Sequence, residues 1–327
     1  MSSQTSSETW NDLWTLSMRA KRKRLTDNIS DSYPTIDHFR SSKVVETENG
    51  GKQIQEDLSY KLDTSTWFSG FDTLPTDSTQ GVTAAFYNWK YLATPITISM
   101  TEEKESRKSD AAIKLLEAKT KRAMTTHFDT VNAALHTAQT GKAHLGLPDV
   151  VSASAGATVG GINSTTDTWW DNKRQAFGGT NFLTASGNST QGLVIMKDLW
   201  NDVSEGSDFP SIVLTTHGIG GDYESIFEGS TYLRLSPKDG NAVDGRDTMF
   251  RKAKVIMDRD CGSGLIYMLN TKYLKYKIQT GLNFAKTPFR EPANQLAKTS
   301  FVVLSAALTT SNRRRQGVIT GLTSSQG

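Results

Sequence analysis

The stretch Ser99–Gly141, SMTEEKESRKSDAAIKLLEAKTKRAMTTHFDTVNAALHTAQTG, decides how the chain is read. Ser99 with Glu102 three residues on is a capping-box signature, in which hydroxyl and carboxylate each satisfy the other residue's backbone amide. Ile113, Leu116, Thr120, Met124, Phe128, Val131, Leu135 and Ala138 then recur at spacings of three and four. This pattern predicts one amphipathic helix of about 40 residues, roughly 60 Å long at 1.5 Å per residue. It lacks a sustained heptad, so it reads as a strut with a broad surface lying along it rather than as a coiled coil.

Upstream, Glu48-Asn49-Gly50-Gly51 is a turn signal that predicts a hairpin reversal. Leu58, Tyr60 and Leu62 alternate with polar residues, and Tyr87, Trp89 and Tyr91 do the same before Pro95. The two runs read as arms of a long polar hairpin. Between them lie Trp67, Phe68 and Phe71, large rings that a monomer gains nothing by exposing. Contact with a neighbouring copy and burial in the chain's own core both fit them at this point. Residues 1–45 read as an extended arm with a short helix around Trp10, Leu13, Trp14 and Leu16 and a basic run at Arg19, Lys21, Arg22, Lys23 and Arg24.

Downstream, Gly141–Thr166 is rich in Gly, Ala, Ser and Val and reads as an irregular insertion, the least rigid internal segment. Leu193, Met196, Leu199, Trp200 and Val203 predict a helix, Ile212–Leu214 a strand, and Tyr223, Ile226 and Phe227 a further helix. Strands are expected at Ala253–Met257, Leu265–Asn270 and Phe301–Leu308, the last two apolar enough to be buried on both faces. The fold class is α+β.

Composition bounds the function. The 327 residues suit about two domains. Lys+Arg 37 against Asp+Glu 34 leaves +3, too little for a globally cationic nucleic-acid binder. One cysteine and five histidines exclude a disulfide framework and cysteine-rich zinc sites. No apolar run approaches the roughly 20 residues of a bilayer span, so no membrane partner is expected. The N-terminus lacks a secretory pattern, which places the protein in the cytoplasm or in something assembled there.

Catalytic motifs are incomplete. Gly156-Ala157-Thr158-Val159-Gly160-Gly161 runs into Ile162-Asn163 without the Lys and hydroxyl of a phosphate loop. Gly262-Ser263-Gly264 has Cys261 and Leu265 where a nucleophile elbow needs glycine, and reads as a turn between strands. His127 and His136 are nine apart, not the four of a metal pair on adjacent turns, and Cys261 follows Asp258 and Asp260 rather than a base. No catalytic, cofactor or metal residue is nominated. Arg19–Arg24 and Arg313, Arg314 and Arg315 could neutralise phosphates or pair with a neighbouring subunit.

The order of arm, polar hairpin, long helix, mixed α/β body and buried C-terminal strand resembles the major capsid protein family of tailed bacteriophages. The wording of Thr94-Pro95-Ile96-Thr97-Ile98, of Gly160-Gly161-Ile162-Asn163 with Asp167-Thr168-Trp169-Trp170-Asp171-Asn172, and of Asp258-Arg259-Asp260-Cys261 leading to Tyr267–Leu274 is similar, over about residues 40–310. The resemblance implies an N-terminal arm at 1–45, an extended loop at 46–92, a peripheral domain at 93–149 and 271–327 with its spine helix near 100–140, and an axial domain at 150–270. It implies a structural protein and not an enzyme, with no cofactor. Copies would assemble as hexamers and pentamers into an icosahedral shell around double-stranded DNA contacted non-specifically. It further implies a virion location with assembly in the host cytoplasm, procapsid maturation, a portal and, because only about 45 residues precede the hairpin, either a separate scaffolding protein or prior processing of the chain. Some relatives join subunits by lysine–asparagine isopeptide bonds; Lys52 and Lys61 lie in the hairpin, but no motif marks the Asn or the assisting Glu. A cellular nanocompartment shell of the same fold, a soluble α+β enzyme with a hairpin lid, and a DNA-binding factor using the basic arm remain the alternatives.

Overall fold

The computed structural model describes residues 33–325 apart from 75, 77–79, 106–108, 187–188, 229–247 and 294. The chain forms two compact units, one from residues up to Gly50 with Lys90–Gly146 and Tyr276–Ala307, the other from Gly51–Trp89, Leu147–Lys275 and the residues after Leu308.

In the first unit the capping box forms as read. The Ser99 hydroxyl accepts the Glu102 amide at 3.2 Å and the Glu102 carboxylate accepts the Ser99 amide at 3.0 Å. It caps only a short helix, Met100–Glu105, however, and the long helix is Ser109–His136, 28 residues or about 42 Å. The expected single helix of about 40 residues is therefore corrected, and one contact gives the reason. Lys119 Nζ lies 2.6 Å from the Glu102 carboxylate and 2.9 Å from the Thr97 carbonyl. Along one continuous rod, 17 residues would separate that pair by about 25 Å, so the two described helical segments do not share one straight axis.

The long helix covers a sheet in which Val45–Glu48 runs parallel to Leu274–Gln279, and Ala297–Thr310 pairs with Ala285–Lys286 and with Lys90–Ser99. Lys90–Ser99 is hydrogen-bonded on one side only, which is why Pro95, lacking an amide, is tolerated there. Ile96, Ile98 and Val302 pack on Leu116, Ala123 and Met124 of the helix. His127 is fully buried among them; one ring nitrogen lies 2.8 Å from the Thr94 hydroxyl and the ring tilts against Phe284 at 5.1 Å. Burial pulls its pKa from 6.5 down to about 4, so it is neutral in the folded protein.

The second unit is built on a six-stranded sheet ordered Met249–Phe250, Ala253–Met257, Ile212–Thr215, Ile266–Leu269, Gly317–Thr320 and Lys173–Ala176. Ile212–Thr215 and Ile266–Leu269 are buried at every position, as continuous apolar runs require. Helix Gln191–Val203 buries Met196, Leu199, Trp200 and Val203, spaced to share one face, and helix His217–Glu228 adds Ile219 and Tyr223.

Three further expectations are corrected. The Glu48–Gly51 turn closes no hairpin: Val45–Glu48 pairs with Leu274–Gln279, while Ile54–Ser59 pairs with Val82–Tyr87, so the turn carries the chain from one sheet to another. Nor do residues 308–325 stay with the long helix, because Gly317–Thr320 is an interior strand of the second unit's sheet with Val318 and Ile319 fully buried. The segment Gly141–Thr166 is not uniformly irregular, since it contains a helical turn at Leu147–Val150 and a two-residue strand pair, Thr158–Val159 with Ile162–Asn163.

Candidate assembly surface

The hairpin Ile54–Ser59 with Val82–Tyr87 is antiparallel, with Ile54 opposite Tyr87 and Ser59 opposite Val82. Strand alternation puts Ile54 and Leu58 with Ala85 and Tyr87 on a buried face. The other face carries Val82 and Phe86, both exposed. Beyond Ser59 the Tyr60 amide still bonds the Gly81 carbonyl at 2.9 Å, and the arm then leads to a tight reversal at Ser69–Asp72. There the Asp72 carboxylate accepts the Ser69 amide at 2.9 Å, the Asp72 amide bonds the Ser69 carbonyl at 3.3 Å, and Gly70 takes φ +60°, a conformation open to glycine.

The three predicted rings lie at or just before this reversal and are exposed. Trp67 and Phe71 are fully exposed and Phe68 is 65% exposed. Leu62 and Leu74 on the flanking arms are exposed too and extend the surface. The sequence reading had Leu62 in a half-buried strand; that strand ends at Ser59. A second bare apolar set lies in the other unit, on the outer side of Lys90–Ser99 and Ala297–Thr310 and the turns beside them: Tyr91, Met100, Leu296 and Phe301. Its strand members could have been found from alternation with the buried Ile96, Ile98 and Val302.

The arginine run near the C-terminus separates three ways. Asn312 leads into a 3-10 turn, Arg313–Arg315, that sends successive side chains in different directions. Arg313 is fully buried. Its Nε donates to the Val150 carbonyl at 2.8 Å, Nη1 to the carbonyls of Trp170 at 3.2 Å and Ala157 at 3.4 Å, and Nη2 to Asn172 Oδ1 at 3.1 Å. Burial lowers its pKa to about 10, which still leaves it charged at neutral pH. A guanidinium with its donors committed inside the fold has none to offer a phosphate, so Arg313 is withdrawn as a DNA contact. Arg315 pairs with Glu205, leaving Arg314 as the exposed member. The other predicted basic run, Arg19, Lys21, Arg22, Lys23 and Arg24, lies outside the described residues.

Nothing in these surroundings activates a nucleophile. Cys261 is buried, and that burial, with the nearby Asp258 charge, pushes its thiol up to about 12. Among the described residues no three His, Cys, Asp or Glu side chains cluster to hold a metal ion, and no helix is long and apolar enough to cross a membrane. An open depression of about 540 Å³ in the first unit is lined by Met100, Glu291, Pro292, Ala293, Leu296 and Lys298 among others, none of them His, Cys or Ser.

No protein-family model and no curated protein sequence matches the chain. Solved structures do. The capsid of cyanophage A-1(L) superposes with a TM-score of 0.66 at 16% identity, over 86% of this chain and 90% of that one. The capsid of a native GTA particle gives 0.62 at 12% identity, over 86% and 89%. An encapsulin from Synechococcus elongatus gives 0.54 at 9% identity, over 86% and 87%. At these identities the likeness speaks for architecture, and across nearly the whole length of both partners it leaves one reading of it: the chain has the α+β fold of tailed-bacteriophage major capsid proteins.

Proposed function

We propose that this chain is a structural shell protein, copies of which assemble as hexamers and pentamers into a closed icosahedral capsid. The observation that carries the proposal is the bare aromatic reversal at Trp67, Phe68 and Phe71. Three large rings in water are a standing penalty, and covering each returns about 1.5–3 kcal/mol. A second copy is the natural cover, because every subunit of a ring can then offer the same hairpin to the next. The bare set at Tyr91, Met100, Leu296 and Phe301 differs from the hairpin surface, and unlike surfaces that meet head to tail generate rings when the rotation closes.

In the same reading the arm is 1–45, the extended loop 46–92, the spine-helix domain 93–149 with residues 271–307, and the axial domain 150–270, the last joined by the chain from Leu308 with its strand Gly317–Thr320. The shell encloses double-stranded DNA, held non-specifically through Arg314 and the run Arg19, Lys21, Arg22, Lys23 and Arg24. A separate scaffolding protein and a portal complete the assembly in the host cytoplasm, and the mature location is the virion. The likeness to an encapsulin supports a second reading, a compartment shell around protein cargo. Electron microscopy and sedimentation of the expressed chain, alone and with its scaffold, test the proposal. Rings or closed shells are expected, and a chain that stays monomeric at high concentration in both preparations contradicts it. Nuclease-protected DNA inside purified particles favours the capsid; co-purifying folded cargo favours the compartment.

A further inference from the structure

The hairpin's base is held by a segment with little regular secondary structure, whose buried apolar side chains are few: Val150, Val151, Val159 and Trp170. The Phe86 amide donates to the Gly160 carbonyl at 3.0 Å, and the Tyr60 ring stacks on Trp169 at 4.8 Å. Gly160 has φ +62°, and a Cβ there would lie 2.7 Å from that of Ala85, so the two chains touch backbone to side chain. Gly160 and Trp169 both belong to residues 150–172, whose regular structure is a two-residue strand pair and a single 3-10 turn. Bonds within the segment run from Trp170 Nε1 to the Val159 carbonyl at 3.0 Å and from Asn172 Nδ2 to the Ser152 carbonyl at 2.9 Å, and Arg313 joins it from outside at four points, Val150, Ala157, Trp170 and Asn172. All four acceptors are carbonyl oxygens rather than carboxylates. A buried guanidinium whose direct bonds all go to carbonyls, with the Asp171 charge nearby as its electrostatic partner, is an expensive way to fill space, and an apolar side chain would serve packing better. Its planar fork does what an apolar side chain cannot: it ties points 22 residues apart in sequence to one rigid group.

We propose that Arg313 is a positioning residue for assembly, fixing through Gly160 and Trp169 the direction in which the hairpin presents its aromatic tip. The inference rests on the shell reading for its consequence but not for its geometry. Lysine retains the charge and loses the fork, so it cannot serve all four acceptors.

The test is hydrogen exchange on the full-length, unassembled chain, wild type against Arg313→Lys, followed by assembly of both. Amides of 54–59, 82–87 and 150–172 should exchange about tenfold faster in the variant while those of 212–215 and 266–269 are unchanged. The concentration needed for shells should rise by about the same factor, although the tip is intact. Loosening confined to 150–172, with hairpin amides as in wild type, overturns the proposal, as does normal assembly by a chain whose hairpin has loosened. Should Arg313→Lys unfold the second unit, Trp169→Ala decides: its ring is half-exposed and outside the apolar cluster, and its loss should speed hairpin exchange alone. Unchanged hairpin exchange there overturns the proposal. A wild-type chain that never forms shells would sink the shell reading while the exchange experiment still judges the clamp.

Discussion

The two ends of one hairpin are built on opposite terms. At its tip, Trp67 and Phe71 are fully exposed around a turn held by two short-range bonds to Ser69 and Asp72. At its base, Tyr87 is 3% exposed, its hydroxyl donates to the Thr310 carbonyl at 3.0 Å, and the Thr309 hydroxyl donates to Glu56 at 2.9 Å. The base is satisfied within its own unit; among the described residues nothing covers the tip. In the proposed shell the difference puts stability and association on separate residues, so each can be removed without the other.

The largest expected effect breaks the comparison at the tip. Replacing Trp67, Phe68 and Phe71 together by Ser should abolish shells in micrographs. It should leave the melting temperature of the unassembled chain within about 1 °C, since exposed substitutions change stability by roughly 0.5 kcal/mol or less. A drop of several degrees would mean that the rings support the fold. Next is the base: Arg313→Ala strands buried carbonyls and should cost about 3 kcal/mol in urea unfolding.

A smaller effect sharpens the comparison through the other unit. His127 has a folded pKa of about 4, depressed from 6.5, so the unfolded chain binds the extra proton between those values. Its contribution is fully present above pH 6.5 and is lost as pH falls to 4, up to about 3 kcal/mol by linkage. Protection factors in 116–135, taken relative to the intrinsic exchange rate at each pH, should therefore fall on acidification, and His127→Gln should flatten that response. The hairpin and residues 150–172 contain no histidine and should respond less over the same range. The smallest effect is at the surface: Glu102→Gln, breaking the half-exposed pair with Lys119, should cost about 0.5–1 kcal/mol.

How much of this was legible depends on how local the cause is. Helix spacing marked Leu116, Met124, Val131 and Leu135 as buried, because one helix face is a property of consecutive residues. Continuous apolar runs marked Ile266–Leu269 as buried on both sides. Where Ser69-Gly70-Phe71-Asp72 would aim the rings was not legible, since the same residues fit a turn folded back on the core. Arg313 was the clearest miss. Three arginines in a row look like a solvated patch, and only the 3-10 turn between two buried strands separates an inward, an outward and a paired side chain. That Met100–Glu105 and Ser109–His136 do not share one axis was also hidden, because it shows in Lys119 meeting Glu102, a contact across 17 residues that no local period encodes.

The central claim is that the tip rings are bare in the free subunit and covered by a second copy in the particle. Hydroxyl-radical footprinting of Trp67 and Phe71, before and after assembly, tests it most directly. Both should be modified freely in the unassembled chain and become protected in shells, while Arg313 variants that fail to assemble keep them reactive. Equal modification in the free and assembled states would contradict it.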